Sequence, residues 1–169
     1  MTVQNQPSQI KGASPLFLRE TEIRRGIELL YFGYSYLTRA ADERLDAQGF
    51  GRAHHRALYF IARQPGLNVS ELLKLLAITK QSLGRVINDL IAREMVRSEA
   101  GKNDKRQKLL RLTEAGVTLE TALFEALRER LASTYAKAGQ SAVTGFWQVL
   151  EGLIPDEDIG RVIALQRRD

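Results

Sequence analysis

The residues best suited to chemistry in this chain are basic, and they cluster in one window. Between Thr79 and Leu112 there are nine lysines and arginines and four acidic residues, and nine minus four gives a local charge of +5. The whole 169-residue chain has the same net charge, from 25 basic and 20 acidic residues. A concentrated basic surface favours a polyanionic partner. A solvated face without a partner explains the charge equally well, so charge alone leaves both interpretations open.

Residue patterns typical of enzymes are nearly absent. The sequence contains no glycine-rich phosphate loop and no serine-hydrolase motif. It has no cysteine, which excludes disulfides, thiolate metal sites, cysteine nucleophiles and cysteine-based redox sensing. The two histidines, His54 and His55, are adjacent, and adjacent side chains on a helix point about 100° apart, a poor arrangement for one metal ion. We therefore predict no enzyme activity, no metal and no cofactor.

The role of the histidine pair stays open at this stage. His54 and His55 fit a surface pair, a hydrogen-bonding group in the core, or polar groups in a ligand pocket.

The sequence also indicates a cellular compartment. It has no run of eighteen apolar residues, which excludes a transmembrane helix. Residues 1–15 are polar, lack the apolar segment of a secretory signal, and are predicted to be a flexible tail. We therefore expect a cytoplasmic protein that does not bind membranes.

Two short helices are predicted to position the basic window. Asn68 and Glu71 have the spacing of a capping box, which predicts a helix start at Asn68. Thr79 is a good N-cap for a second helix after a tight connection. In that helix the apolar residues recur at helical spacing, at Leu83, Val86, Ile87, Leu90 and Ile91. Gln81, Arg85 and Asn88 then project from the other side, which is typical of a helix-turn-helix.

A basic hairpin is predicted directly after this pair of helices. Residues 95–99 and 108–112 suit two short strands, and the loop between them is rich in lysine and arginine. A helix-turn-helix followed by such a hairpin is a winged helix-turn-helix, whose second helix fits the major groove of DNA. In this arrangement Lys80 and the helix N-terminus meet phosphate, Gln81 pairs with adenine, and Arg85 contacts guanine or phosphate. Basic side chains of the loop reach the adjacent narrow groove.

The remaining sequence is predicted to be helical and unusually apolar for one small domain. From about Leu16 a long stripe runs to Ala41, with glycines at 49 and 51 ending the helix, and a shorter helix fits residues 53–63. After the hairpin we expect a helix from Thr113–Glu114 to about Ala138, another capped by Ser141, an interruption at Pro155, and a last amphipathic piece.

The hairpin carries the most specific motif in the chain. Asp104-Lys105-Arg106 is followed by Leu112-Thr113-Glu114-Ala115-Gly116. This resembles the wing signature of the MarR family, the multiple-antibiotic-resistance-type regulators, and residues 69–116 as a whole resemble the DNA-binding core of that family. The agreement of helix order and length extends from about Leu16 to Leu153.

The resemblance implies a mainly α fold with a small β-hairpin wing, a winged helix-turn-helix joined to a helical dimerisation region. Residues 52–112 would form the DNA-binding region, and residues 16–48 and 113–169 the dimerisation region of a homodimer. The dimer core would contain Phe17, Leu18, Phe146, Trp147 and Leu150, although each also suits a monomer core. The implied DNA-binding residues are Thr79, Lys80, Gln81, Ser82, Arg85, Lys102, Asp104, Lys105 and Arg106. Of these, Asp104 would orient Arg106 rather than touch DNA.

The resemblance further implies a sensor. Relatives often bind small aromatic or phenolic anions between the two regions, and the corresponding positions here are Tyr31, Tyr34, Tyr36, His54, His55 and Arg56. Family habit favours a repressor released by its effector, acting on a pseudo-palindromic double-stranded operator, and the lack of cysteine excludes a cysteine-oxidising peroxide sensor. The alternative function is a winged-helix protein-interaction module that binds an acidic partner without DNA.

Overall fold

The fold is mainly helical with a small antiparallel sheet. The computed structural model describes residues 14–101 and 105–166, so the predicted tail lies almost wholly outside the described residues. A 3₁₀ turn, Pro15–Leu18, precedes the first long helix. The helices are α1 Glu20–Asp46, α2 Arg52–Arg63, α3 Val69–Leu76, α4 Lys80–Ala92, α5 Glu114–Ala138, α6 Gln140–Glu151 and α7 Asp156–Gln166. The strands are β1 Leu67–Asn68, β2 Val96–Ala100 and β3 Lys108–Leu112. None of the described helices is both long enough and apolar enough to cross a bilayer.

The chain divides into two compact units between Leu37 and Thr38, within α1. The described part of the first unit consists of the 3₁₀ turn and the first eighteen residues of α1. Its large apolar side chains are exposed, at Leu16, Phe17, Leu18, Ile23, Ile27, Leu29, Leu30, Tyr31, Phe32, Tyr34 and Tyr36. A single amphipathic helix of this kind has no hydrophobic core of its own.

The second unit, from Thr38 onward, contains the hydrophobic core. The centre of that core is the apolar face of α2, where Ala57, Leu58 and Ile61 are buried. This face packs against α3, α4, α5 and β3. The large side chains that are completely enclosed are Leu45, Leu58, Ile61, Leu72, Leu76, Leu83, Leu90, Leu110 and Leu123.

The sheet has the strand order β1-β3-β2 and is antiparallel throughout. Val96 pairs with Leu112 and Ser98 with Leu110, so the two predicted strands form the expected hairpin. The third strand, β1, was not predicted. It has two residues, with Leu67 paired to Leu110, and a segment this short has no alternation that a sequence pattern can reveal.

The predicted helix starts within and after the helix-turn-helix are confirmed. Asn68 Oδ1 accepts from the Glu71 backbone N–H at 2.9 Å, and Glu71 Oε2 accepts from the Asn68 N–H at 3.1 Å, which completes the capping box. Thr79 and Thr113 are the N-caps of α4 and α5. The prediction of Ser141 as an N-cap is wrong, because α6 begins at Gln140, directly after Gly139 and without a side-chain cap. Gly139 has a φ of +81°, which lets the chain turn sharply there.

The wing and α5 meet at a backbone contact that only glycine permits. Thr113 N–H donates to the Met95 carbonyl at 3.1 Å, and the Thr113 hydroxyl accepts from the Gly116 N–H at 3.0 Å. These bonds bring the first turn of α5 onto the chain just before β2. A Cβ on Gly116 would overlap the Met95 carbonyl group. The motif Thr113-Glu114-Ala115-Gly116 therefore fixes the wing to the helix that follows it.

We expect Gly116→Ala to lower the free energy of unfolding by about 1–3 kcal/mol, because the added methyl group forces two backbone segments apart. Gly84→Ala is the matched control. Nothing lies within 4 Å of a Cβ there, so alanine should raise helix stability by up to about 1 kcal/mol. Denaturant unfolding followed by circular dichroism measures both. Equal stability of the two variants would contradict the close approach at Gly116.

Candidate nucleic-acid interface

The first turn of α4 presents an ordered set of polar groups to solvent. The Thr79 hydroxyl accepts from the Ser82 N–H at 3.2 Å and donates to the Ser82 hydroxyl oxygen at 2.8 Å. This leaves the Ser82 hydroxyl hydrogen available as a donor. Lys80, Gln81 and Arg85 are exposed on the same helix. The backbone N–H groups of Lys80 and Gln81 lie in the first turn of α4. N–H groups of a first turn have no acceptor within their own helix.

The opposite face of α4 anchors it to the core. Leu83 and Leu90 are completely buried, and Val86 and Ile87 are less than 8% exposed. Burial of four apolar side chains on one face fixes the rotation of the helix about its axis, because turning it would expose them. The predicted DNA-contacting residues of α4 therefore share one solvent-facing surface.

The turn between the two short helices is held by a side chain from α2. Helix α3 ends at Leu76, and its C-cap residue Ala77 has a left-handed conformation with a φ of +50°. Arg56 Nη2 donates to the Leu76 carbonyl at 3.0 Å, which satisfies one of the last carbonyls of α3. Arg56 Nε is buried and has no hydrogen-bond partner among the described residues.

The basic residues of the wing fall into two groups, one on the paired strands and one in the turn between them. Arg97 and Arg111 face each other across the strands, and Glu99 lies between them, 3.0 Å from Arg97 Nε and 3.3 Å from Arg111 Nε. The carboxylate offsets the repulsion of the two arginines. Lys105 and Arg106 are exposed in the turn beyond the paired strands. The predicted residues Lys102 and Asp104 lie outside the described residues, as does the expected contact of Asp104 with Arg106.

The predicted ligand-binding residues fall in both units. Tyr31 and Tyr34 belong to the first unit and are 73% and 50% exposed. His54, His55 and Arg56 are consecutive residues of α2 in the second unit. Ligand binding by these five residues stays a prediction.

The two histidines have different environments. His54 Nδ1 accepts from the Gly51 N–H at 3.1 Å, and His54 Nε2 lies 3.3 Å from Asp89 Oδ2 on α4. His55 points into the core and is 8% exposed. Burial lowers the pKa of His55, and the nearby Asp42 carboxylate opposes that shift only in part. Across residues 14–101 and 105–166, no group of three or more histidine or acidic side chains is placed to hold a metal ion.

The side chains that surround His54 were not predicted from the sequence. The Phe50 ring lies 5.0 Å from the His54 ring, and the Arg93 guanidinium lies 4.9 Å from the Phe50 centroid. Arg93 also donates to the Gln48 carbonyl. These contacts join the loop before α2 to the residue that follows α4. No spacing signal connects residues that are some forty positions apart, so only the fold reveals them.

Residues 48–107 match the sequence model of the MarR family. The chain is 48% identical over 143 residues to the HTH-type transcriptional regulator PetP of Rhodobacter capsulatus, which covers 85% of this chain and 86% of that protein. The chain belongs to the MarR family. It is accordingly a winged-helix transcriptional regulator of the MarR type, as the hairpin motif predicted.

Solved structures support the same MarR-type fold. A mutant of the MarR protein from E. coli, complexed with operator DNA, superposes with a TM-score of 0.63 at 22% identity, covering 84% of this chain and all of that one. The PcaV regulator from Streptomyces coelicolor, in complex with its natural ligand, gives 0.61 at 16% identity, covering 84% and 96%. At these identities the likeness concerns the fold alone.

The lowered pKa of His55 predicts a pH-dependent stability of this MarR-family chain. Because the neutral imidazole is favoured in the fold, the unfolded chain binds the extra proton first as the pH falls below about 6.5. The free energy of unfolding should then fall, by at most about 1.4 kcal/mol per pH unit from this group. The loss should stop once the pH is below the pKa of the folded state.

His55→Gln is the variant that isolates this effect, because glutamine does not titrate. The comparison is needed because burial raises the pKa of Glu120, which stabilises the fold as the pH falls. Urea unfolding of both proteins from about pH 7.5 to about pH 5 measures the difference. Parallel pH profiles would show that His55 is not buried in its neutral form.

Proposed function

We propose that this chain is a homodimeric, sequence-specific DNA-binding regulator whose α4 enters the major groove. One observation carries the proposal. Helix α4 has a buried apolar face and an exposed face on which Thr79, Lys80, Gln81, Ser82 and Arg85 stand together near its capped N-terminus. Residues near the N-terminus of a recognition helix are the ones that reach base edges. A protein of the same fold, the MarR mutant from E. coli, was solved in complex with operator DNA, which supports DNA as the partner.

The residues of this face suit different parts of the duplex. The Lys80 ammonium, the Ser82 hydroxyl and the backbone N–H groups of the first turn are donors for phosphate oxygens. Gln81 and Arg85 lie four positions apart on one face, and their side chains match adenine and guanine in bidentate pairing. In the wing, Lys105 and Arg106 are placed for phosphate or the narrow groove, with Lys102 beside them in sequence.

We expect Arg85→Ala and Arg106→Ala to differ in kind. Loss of a base contact at Arg85 should cost about 1–3 kcal/mol per half-site and relax discrimination at one operator position. Loss of Arg106 should weaken binding to many sequences alike and reduce the slope of log K against log salt by about 0.9 for each phosphate contact removed. Binding to specific and scrambled duplexes across a salt series measures both effects.

Arg161→Ala is the control for removal of a positive charge, since Arg161 lies on α7 and pairs with Asp158 at 2.7 Å. It should leave operator affinity nearly unchanged. If the wild type does not bind DNA, or if its binding to DNA does not depend on salt, a protein-interaction module is favoured instead. An unchanged salt slope in Arg106→Ala would make the wing a solvated turn.

Dimerisation is proposed from the apolar surface that the single chain leaves exposed. In the first unit Phe17 and Leu18 are 65% and 51% exposed. In the second unit Phe146 and Trp147 are 43% and 51% exposed, and Leu150 is half-buried. Patches of this extent in a soluble chain mark contact surfaces. We assign residues 16–48 and 113–169 to dimerisation and residues 52–112 to DNA binding.

We predict that sedimentation at low micromolar concentration gives about twice the monomer mass of 19.0 kDa. Phe17→Asp should weaken the dimer without unfolding the second unit, because the side chain is exposed in the single chain. Thr21→Asp, which adds the same charge at an exposed polar position, is the control. A wild-type protein that sediments as a monomer would contradict the proposal.

A dimer with two recognition helices addresses two half-sites about one helical turn apart, so the operator is expected to be a pseudo-palindrome. Repression is the mode that we propose, with a small effector releasing the protein from DNA. Selection of duplexes from a random pool tests the symmetry. A single unrepeated half-site would contradict a symmetric dimer on DNA.

We propose a small aromatic carboxylate or related anion as the effector. Arg56 in the second unit has a buried Nε donor without a hydrogen-bond partner among the described residues, and such a donor suits a carboxylate. Benzoate and salicylate at up to millimolar concentration should weaken operator binding. Arg56→Lys, which keeps the charge and removes Nε, should reduce this response. A series of such anions that changes neither DNA affinity nor thermal stability would contradict the proposal.

A further inference from the structure

One acidic residue stands on the DNA-facing helix. Asp89 is the only acid in α4, its side chain is 59% exposed, and it lies four positions after Arg85. Residues four apart are neighbours on a helix surface, so an aspartate and an arginine at this spacing can pair. Such a pair would engage the guanidinium to which we assign base recognition. The carboxylate would also repel DNA phosphates.

The structure shows a different partner for this carboxylate. Asp89 Oδ2 lies 3.3 Å from His54 Nε2, and within the described part of the chain it makes no ion pair with Arg85. The tautomer of His54 follows from its other nitrogen. Because Nδ1 accepts from the Gly51 N–H at 3.1 Å, the imidazole hydrogen is on Nε2 and points to Asp89.

The His54 ring is held on several sides. Its side chain is 14% exposed. It packs against the buried Phe50 ring at 5.0 Å, with 37° between the planes, and Arg93, the residue that follows α4, covers Phe50 at 4.9 Å. The capping bond to Gly51 ties the ring to the start of α2. A donor fixed in this way directs Asp89 toward α2 at little further cost in side-chain entropy.

We propose that His54 is a positioning residue for DNA recognition, which holds Asp89 away from Arg85 and so keeps the guanidinium available to the duplex. The proposal rests on the proposed role of Arg85 in DNA binding. It assigns His54 a role in sequence recognition through another side chain, without contact between the imidazole and DNA.

Two substitutions separate the bonds of the imidazole. In His54→Asn the amide oxygen takes the place of Nδ1, so the bond to Gly51 is kept and the donor to Asp89 is lost. In His54→Gln the amide nitrogen takes the place of Nε2, so the donor to Asp89 is kept. We expect His54→Asn to weaken operator binding by about two- to fivefold over two half-sites, the size of one helix-surface ion pair in each subunit. His54→Gln should bind more tightly than His54→Asn.

The effect of His54→Asn in a protein that also carries Asp89→Asn decides between a positioning role and a structural role. Without the carboxylate nothing competes for Arg85, so His54→Asn should have no further effect on affinity when Asp89→Asn is also present. A merely structural role of His54 would leave the full loss in that background, because the lost hydrogen bond is not restored. The four proteins to compare are the wild type, His54→Asn, Asp89→Asn and the double variant. Their operator affinities at one salt concentration give the coupling between His54 and Asp89 directly.

Arg85→Ala distinguishes failure of this inference from failure of the proposed function. If Arg85→Ala leaves operator affinity unchanged, Arg85 does not read DNA and the proposed function is wrong at that residue. If Arg85→Ala weakens binding while His54→Asn does not, or the loss in His54→Asn persists with Asp89→Asn, the positioning role is wrong. If both substitutions weaken binding and the loss in His54→Asn disappears when Asp89→Asn is also present, the inference holds.

Discussion

The second unit depends on the burial of one face of α2. Ala57, Leu58 and Ile61 form the surface against which α3, α4, α5 and β3 all pack. Burial of apolar surface is the main favourable contribution to packing, and this face is shared by elements of the helix-turn-helix and of the wing. Both elements that carry the candidate interface therefore take their positions from the same helix.

Polar contacts from α2 add the orientation that apolar burial alone does not give. Burial is non-directional, whereas a hydrogen bond fixes an angle. Arg56 bonds to the last carbonyl of α3, and His54 bonds to Asp89 of α4, so two residues of α2, two positions apart, contact each helix of the helix-turn-helix. The wing is fixed separately, by the approach of Gly116 to Met95. Recognition helix and wing thus have independent attachments to one core.

Much of the fold was predictable because its signals are local. The capping box at Asn68, the threonine caps at 79 and 113 and the apolar spacing of α4 each involve residues within one or two turns. The hairpin was predicted from the two short segments, with apolar residues, on either side of the basic loop. The two-residue β1 was missed, and the cap at Ser141 was wrong because a positive φ at Gly139 already starts α6 there.

The sequence by itself determined the order of the helices, the wing, the basic window and the family, because helical periodicity, caps and motifs are read along the chain. It also placed Gln81 and Arg85 on one face of a helix. Only the tertiary structure decided that His55 is buried while His54 reaches Asp89, and that Glu99 lies between Arg97 and Arg111. The contacts of His54 with Asp89 and of Glu99 with Arg111 join residues 35 and 12 positions apart, and the burial of His55 depends on which face of α2 is covered. Their partners are chosen by packing, which no local spacing encodes.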